Sequence, residues 1–333
     1  MDSKMGWIGK LLNGGDEKNK PAAVSAAAAA AAEAARQPAT ITEIDAMYYR
    51  WLAAASAAQA PEQTEQQILD ELARLVREPI AGAALVPRIP AIIPQLMRTL
   101  QDENMSAAKL SAQLAQDVLL VAEVYREANR PCYQSRYNAS PSINNMDGAI
   151  MLLGQNGMRM LLARVAFRPI VSMQSGGLTV RTAPLIWRQS EKCALAASLV
   201  APAMHANAFD AYLAGLMANV GLVVAFRLID QMHAPDVFPQ SDAFIAQVFA
   251  QARILSVRIA ELWEFPQSVT RAIGQVGQAD ADPQAQALAL GERLSKLRML
   301  ADTGRFPADD PFVTSGLDKN ALLAFGKLAD DED

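Results

Sequence analysis

Apolar residues recur at every third or fourth position through most of the chain, which is the spacing of one face of a helix. Thr40 and Glu43 have the spacing of a capping box, so a first helix is predicted to begin after Thr40. Pro61 predicts the start of a second helix. Its apolar stripe consists of Ile68, Leu69, Leu72, Leu75 and Val76. The two helices would form a hairpin ahead of a main domain.

The same spacing continues along the chain, interrupted by polar, glycine or proline residues. It predicts helices at 91–101, 106–115, 118–128, 146–153, 156–172, 183–205, 208–217, 220–230, 241–263 and 266–274, with two more after Pro283. Alanine and leucine dominate, while aromatic residues make up 6% of the chain, and this composition favours helices over strands. We therefore expect an all-α protein.

Composition divides the chain into segments. Residues 1–38 contain an alanine run that cannot build a core, which predicts a flexible alanine-rich leader. Four apolar residues of the leader would share one face of a short helix: Trp7, Ile8, Leu11 and Leu12. That helix either docks into a groove or on a membrane surface, or it is a frayed terminus. The remaining segments are a helical extension at 39–84, a main domain at 85–280, and helices with an acidic tail at 281–333.

The net charge of −5 and the pI near 5.3 argue against a nucleic-acid binder, because neutralising phosphates needs clustered lysine and arginine. Cys132 and Cys193 lie far apart without a pairing pattern, which suits a reducing cytosol. The longest apolar stretch, 211–226, is shorter than the roughly 20 residues that cross a bilayer. We therefore expect a cytoplasmic protein without stable membrane insertion.

Between residues 85 and 280 a succession of motifs resembles the HDOD family, output domains related to the HD phosphohydrolases. A Val-Pro-Arg-Ile-Pro motif at 86–90 opens the succession, and a tryptophan-led helix follows at Trp187. The signature stretch at 209–221 reads Phe-Asp-Ala-Tyr-Leu-Ala-Gly-Leu-Met-Ala-Asn-Val-Gly. The resemblance implies a multi-helix bundle of the HD type.

The departures from the hydrolases concern the metal ligands. In HD hydrolases the positions of Ala218 and Asn219 hold histidine and aspartate, which bind divalent ions that activate water. The position of Gln189 carries another histidine, and a later histidine pair would fall near Val276 and Gly277. Alanine cannot ligate a cation, and a neutral amide oxygen is a far poorer ligand than a carboxylate. The resemblance therefore implies no metal, no other cofactor and no catalytic residue in this chain.

The count of histidines agrees with that expectation. The chain contains His205 and His233 only, which is too few for a multi-histidine centre. Each lies near a predicted helix end, where imidazole meets the terminal carbonyl groups. Cys132 and Cys193 have no neighbouring histidine in sequence and are expected to act as small buried hydrophobes.

A candidate partner surface lies in the predicted loop at 130–142. Arg130, Tyr133, Arg136 and Tyr137 belong to it, and arginine and tyrosine are enriched at protein interfaces. The alternative is a loop that packs across the helices without binding anything.

These features predict a non-catalytic regulatory module of bacterial signal transduction that acts by binding another protein. The resemblance implies kinases or cyclic-dinucleotide signalling proteins as partners. The alternative is a sensor that binds a nucleotide or metabolite in the vacated metal cavity, lined by Gln189 and Asn219. A phosphohydrolase with unorthodox ligands is the third hypothesis.

Overall fold

The computed structural model describes residues 40–53, 58–78, 85, 118–129, 143, 145–172, 177–232 and 237–329. In chain order its α-helices are α1 (Ile41–Leu52), α2 (Glu62–Arg77), α3 (Val118–Ala128), α4 (Met146–Ser172), α5 (Gly177–Val200), α6 (Ala208–Met217), α7 (Val220–Met232), α8 (Asp242–Leu262), α9 (Gln267–Gln275), α10 (Pro283–Asp302), α11 (Pro311–Thr314) and α12 (Lys319–Lys327). A 3-10 helix at Ala201–Met204 and two short strands, β1 (Ala58–Gln59) and β2 (Val237–Phe238), complete the described elements. The prediction of an all-α fold is confirmed.

The chain divides into two compact units. The larger consists of Thr40–Pro307 and Leu317–Asp333 and holds every described element except α11. The smaller includes Ala308–Gly316, where the Asp310 side chain caps α11 by accepting a hydrogen bond from a backbone N–H. The domain boundaries proposed from composition stay predictions.

The first two helices begin where their local signals place them. The hydroxyl of Thr40 accepts a hydrogen bond from the Glu43 backbone at 3.2 Å, and the Glu43 carboxylate accepts one from the Thr40 backbone at 2.9 Å. This reciprocal pair confirms the predicted capping box. Pro61 stands at the N-cap of α2, which buries Ile68 and Leu72. Both helices thus form as amphipathic elements that present one apolar face to the core.

The α1–α2 hairpin is attached to the start of α8. The carboxylate of Glu65 accepts hydrogen bonds from the backbone N–H groups of Gln240 and Ser241 at 2.9 and 3.0 Å. These N–H groups precede α8, where donors lack partners within the helix. Strands β1 and β2 pair in parallel beside this contact. Neither strand is predicted from the sequence, because two residues carry no periodic pattern.

Two glycines of the signature stretch allow neighbouring helices to approach closely. A Cβ atom on Gly215 would lie 2.5 Å from the Cα atom of Ala194, where α6 meets α5. On Gly221 it would lie 2.0 Å from the carbonyl oxygen of Ala252, where α7 meets α8. Such distances exclude any side chain, so the two glycines set the spacing of the helices that carry the candidate site.

The boundaries of α4 and α5 show what local signals can and cannot predict. Gly154 has φ 67° and ψ 174° and breaks α4 between the two predicted helices. Helix α5 begins six residues earlier than the sequence predicts, at Gly177. There the carboxylate of Asp230, from α7, accepts hydrogen bonds from the N–H groups of Leu178 and Thr179 at 3.0 and 3.1 Å. This cap comes from a distant part of the chain and leaves no local sequence signal.

Two segments are long and apolar enough to cross a membrane by length and composition: Ala208–Met232 and Asp242–Leu262. The fold buries 94% of the apolar window of the first, which is α6 and α7 together, as predicted for a core helix pair. It buries 44% of the window of the second, which is α8. Core helices of folded proteins pass the same test, so neither segment indicates a membrane span.

Candidate functional site

The positions at which the family resemblance implies hydrolase ligands lie on three parts of the bundle. Gln189 lies in the middle of α5, and Ala218 and Asn219 form the turn between α6 and α7. All three are buried. Val276 is half-buried and Gly277 is exposed, in the turn that ends α9. The structure therefore brings the first three into the core and leaves Gly277 at the surface.

A buried hydrogen bond ties Gln189 to α10. Its Nε2 atom donates to the hydroxyl of Ser295 at 2.8 Å, and that hydroxyl donates to the carbonyl oxygen of Glu292 at 3.0 Å. The Oε1 atom of Gln189 is buried and has no hydrogen-bond partner among the described residues. The side chain at the position where the resemblance implies a histidine thus links α5 to α10 through its nitrogen.

Side chains of α5 and α8 hold the turn that contains Asn219. The Nδ2 atom of Asn219 lies 3.4 Å from the hydroxyl oxygen of Ser190. The hydroxyl of Ser256 donates to the carbonyl oxygen of Ala218 at 2.7 Å and accepts a hydrogen bond from the N–H of Gly221 at 2.9 Å. Backbone groups at a junction between helices need such partners when they are buried. The polar groups around Asn219 are therefore engaged in joining helices.

Val276 meets α10 at a different place. It lines a cavity of about 10 Å³ with Asp45, Glu292 and Lys296. A space of this size holds about one water molecule. Gln189 and Val276 thus both lie against α10. Gln189 bonds to Ser295, and Val276 lines the small cavity together with Glu292.

These positions do not fit a divalent metal ion. Such ions take carboxylate oxygens or imidazole nitrogens, whereas Gln189 and Asn219 are neutral amides and Ala218 has only a methyl group. The amide nitrogens of Gln189 and Asn219 face the hydroxyls of Ser295 and Ser190. In the described part of the chain, no group of three or more His, Cys, Asp or Glu side chains could hold a metal ion. The donor chemistry of the hydrolases is thus missing from these positions.

Four charged side chains of α1, α8 and α10 lie beside this network: Asp45, Glu292 and Lys296 are buried, and Arg253 is half-buried. Arg253 binds Glu292 through two parallel hydrogen bonds of 2.9 Å. Lys296 donates to the Oδ1 atom of Asp45 at 2.6 Å and lies 4.0 Å from Glu292. The two acids and two bases cancel, so this buried charge cluster carries no net charge.

The environment of the buried charge cluster shifts its acids in opposite directions. Burial raises the pKa of Asp45, although the charge of Lys296 opposes that shift. Burial alone would also raise the pKa of Glu292, but Arg253 and Lys296 outweigh it and hold this pKa below its ordinary value. Glu292 is therefore ionised at neutral pH and holds the two cations in place.

The buried charge cluster was not predicted from the sequence. Its one local signal in α10 is the i,i+4 spacing of Glu292 and Lys296 within a leucine-rich helix. Their partner Asp45 lies 251 residues from Lys296. Only the folded arrangement shows that these charges face inward, because exposed i,i+4 pairs have the same spacing.

Two predictions about individual side chains are confirmed. Cys193 is a buried free thiol, and burial raises its pKa, so it lacks the thiolate needed for nucleophilic chemistry. His205 lies at the end of the 3-10 helix after α5, where its backbone N–H caps the helix, and the contact of its imidazole with the terminal carbonyl groups stays a prediction. Cys132, His233 and the proposed partner surface of Arg130, Tyr133, Arg136 and Tyr137 lie outside the described residues.

Known proteins share this fold. An HDOD domain protein of unknown function from Geobacter sulfurreducens is 20% identical with a TM-score of 0.53, over 78% of this chain and 94% of that one. A candidate metal-dependent phosphohydrolase from Shewanella amazonensis SB2B is 14% identical with a TM-score of 0.54, over 80% and 98%. A candidate signal transduction protein from Marinobacter aquaeolei VT8 is 19% identical with a TM-score of 0.52, over 83% and 65%. At these identities the likeness shows the fold.

The family is shown by the sequence as well. No curated protein matches the chain. The family model of the HDOD domain matches residues 86–279. This stretch includes Gln189, Asn219 and the close-packed glycines Gly215 and Gly221. Since this match covers more than half of the chain, the protein belongs to the HDOD domain family.

Proposed function

We propose that this protein is a non-catalytic regulatory module of signal transduction that acts by binding another protein. The observation that carries the proposal is the buried hydrogen bond between Gln189 and Ser295. It puts a neutral amide, engaged with a neighbouring helix, where HD hydrolases place a metal-binding histidine. A site built in this way supports packing between helices and offers no group to activate water.

Partners from signalling pathways follow from the family. The HDOD resemblance suggests protein kinases or cyclic-dinucleotide signalling proteins. The related Marinobacter aquaeolei protein is itself described as a candidate signal transduction protein. A regulatory domain of this kind would transmit its signal by a shift of its helices between packed arrangements.

Crosslinking the full chain in its native cell, followed by mass spectrometry, tests the proposal. We expect one reproducible partner protein crosslinked to a defined surface. We expect Gln189→Leu and Asn219→Ala to leave that crosslink unchanged. Phosphodiesterase assays of the same protein with Mn²⁺ or Mg²⁺ should stay at background. Turnover that either substitution abolishes, or the absence of any reproducible partner, would contradict the proposal.

The sensor alternative depends on Gln189 and Asn219 turning their amides toward a ligand. Both amide nitrogens face serine hydroxyls inside the fold, at 2.8 and 3.4 Å. A ligand would have to break these contacts, so we favour the protein-binding function. Stabilisation of the chain by a nucleotide in a thermal-shift assay, lost in Gln189→Leu, would reverse that preference.

A further inference from the structure

Helix α12 contacts α5 and α10 through a small apolar face. Ala321, Ala324 and Phe325 are buried in this contact, whereas Leu322 and Leu323 are 41% and 58% exposed. The helix has nine residues, and isolated helices of this length are unstable in water. The docking of α12 therefore needs support from the polar contacts at its end.

Three cations, which we call the basic cluster, lie beside the end of α12. Arg188 and Lys192 are one helical turn apart on α5, and Arg298 comes from α10. The Nζ atom of Lys192 donates to the carbonyl oxygen of Leu328, the C-cap of α12. The guanidinium of Arg298 lies over the ring of Phe325, 5.4 Å from its centre. The basic cluster thus contacts both the backbone and a side chain of the last turn.

Positive charge exceeds negative charge around Lys192. Lys192 and Arg298 share the carboxylate of Asp302, at 3.6 and 2.7 Å. Burial lowers the pKa of Lys192 to about 8, an effect that Asp302 opposes. The charges of Arg188 and Arg298 add to the lowering, so both arginines act on Lys192 at close range. Because the side chains of Lys192 and Arg298 are 8% and 17% exposed, water and salt screen the excess only in part.

An acidic run follows α12 directly in the sequence. It consists of Asp330, Asp331, Glu332 and Asp333, which lie outside the described residues. An extended chain spans about 3.3–3.6 Å per residue, so from Leu328 the run extends between about 7 and 17 Å. Arg188 is about 6 Å from Lys192 along α5. The acidic run is therefore long enough to reach each cation of the basic cluster.

We propose that the basic cluster is an anion-binding site for the acidic run at 330–333, and that this contact latches α12 onto α5. The carboxylates pair with Arg188 and offset the excess positive charge beside Lys192 and Arg298. The latch keeps the Leu328 carbonyl against Lys192 and so holds the short helix in place. This inference concerns the docking of α12 and does not depend on the proposed function.

Amide hydrogen exchange of the full chain tests the latch. The tail variant combines Asp330→Asn, Asp331→Asn and Glu332→Gln. The control variant removes three exposed carboxylates outside α5, α10 and α12 by Glu261→Gln, Glu264→Gln and Asp280→Asn. At low ionic strength we expect the amides of α12 to exchange about tenfold faster in the tail variant and at an unchanged rate in the control. Unchanged exchange in the tail variant, or equal acceleration in both variants, would overturn the proposal.

Salt gives a second readout of the same variants. At about 1 M salt the Debye length falls to about 3 Å, which weakens pairs between exposed charges. We therefore expect high salt to speed the exchange of α12 in the unsubstituted chain and to reduce its difference from the tail variant. A difference that persists undiminished at high salt would show that ion pairs do not hold the tail, and it would overturn the proposal.

Crosslinking with a carbodiimide, which joins a carboxylate to a primary amine in contact with it, tests the location. Arg188→Lys keeps the charge and supplies an amine in the basic cluster. Arg181→Lys supplies one at an exposed position of α5 about 10 Å away along the helix. We expect mass spectrometry to find residues 330–333 joined to position 188 and not to position 181. Equal crosslinking at both positions, or crosslinks between isotopically labelled and unlabelled copies of the chain, would overturn the proposal.

Discussion

Gln189 is the single residue that differs most directly from the metal-binding histidine that the resemblance to HD hydrolases implies at its position. Its side chain is fully buried, its nitrogen is bonded to Ser295, and its oxygen has no partner among the described residues. A buried polar atom without a partner costs about 1–3 kcal/mol of stability. A histidine at this position would bind a metal ion better than the amide does. An apolar side chain of similar volume would pack without an unpartnered polar atom.

Replacing Gln189 with leucine should leave stability unchanged or raise it by about 1 kcal/mol, because it removes the unpartnered oxygen at similar volume. Ser295 keeps its hydrogen bond to Glu292. Urea denaturation measures the change. Gln189→Ala is the control and should cost about 2 kcal/mol or more, since it leaves a cavity. A leucine variant as unstable as the alanine variant would show that the amide itself is needed for folding.

The resemblance indicates from the sequence alone which residues occupy the implied ligand positions. The contacts of those residues could not be predicted. Gln189 and Asn219 were identified from motif resemblance alone. The partner of Gln189, Ser295, lies 106 residues away, and Ser190 lies 29 residues from Asn219. Side-chain hydrogen bonds between distant helices depend on the packing of the whole bundle, which no local pattern encodes.

At the scale of the helices, a few ion pairs join elements that are far apart in the sequence. Asp45 connects α1 to Lys296 of α10, and neither helix lies in the stretch that matches the HDOD domain. An isolated charge left in a core is far more costly than a paired one. The ion pair therefore makes the attachment of α1 depend on α10.

Single substitutions in this pair should be much more harmful than the double substitution. We expect Asp45→Leu and Lys296→Met each to cost about 3–5 kcal/mol of unfolding free energy, because each strands a buried charge. The double variant should cost much less than the sum. The exposed pair Arg50 and Asp242 is the control, with a coupling energy of about 1 kcal/mol or less in the same cycle. Additive losses at the buried pair would contradict this account.

A second charged contact holds the last helix. Lys192 of α5 donates to the carbonyl oxygen of Leu328, the C-cap of α12, and lies 3.6 Å from Asp302. Burial lowers the pKa of Lys192 to about 8, and the charges of Arg188 and Arg298 add to the shift. The docking of α12 therefore depends on a lysine that titrates in an accessible range.

The unfolding free energy should rise with pH between about 8 and 10.5 through Lys192. In that window the folded chain has released the proton that the unfolded chain still binds, so raising the pH favours the folded state. Other groups titrate nearby, so the prediction concerns the difference between the unsubstituted chain and Lys192→Met. Denaturation at a series of pH values measures it. Equal slopes for both proteins would refute the shift.

Helix boundaries were predictable where their signals were local. The capping box at Thr40, the proline before α2 and the break at Gly154 all stand where the sequence predicts them. The predicted start of α5 was wrong, because the carboxylate of Asp230 in α7 caps this helix.

At the scale of the whole molecule, four of the helices that flank the HDOD match, α1, α2, α10 and α12, belong to the same compact unit as the described helices within it. The likeness to known structures covers 78–83% of the chain and so extends beyond the matched residues. Helix α10 lies outside the match. It bonds to Gln189 through Ser295, and it contributes Glu292 and Lys296 to the buried charge cluster. These contacts make the positions of Gln189 and Asn219 part of a core that joins helices.

Titration of the purified full chain with Mn²⁺ in a calorimeter tests this central claim most directly. With Gln189, Ala218 and Asn219 in the ligand positions, we predict no saturable binding of the ion. Stoichiometric binding that Asn219→Ala abolishes would show that these residues still form a metal centre, and it would contradict the account.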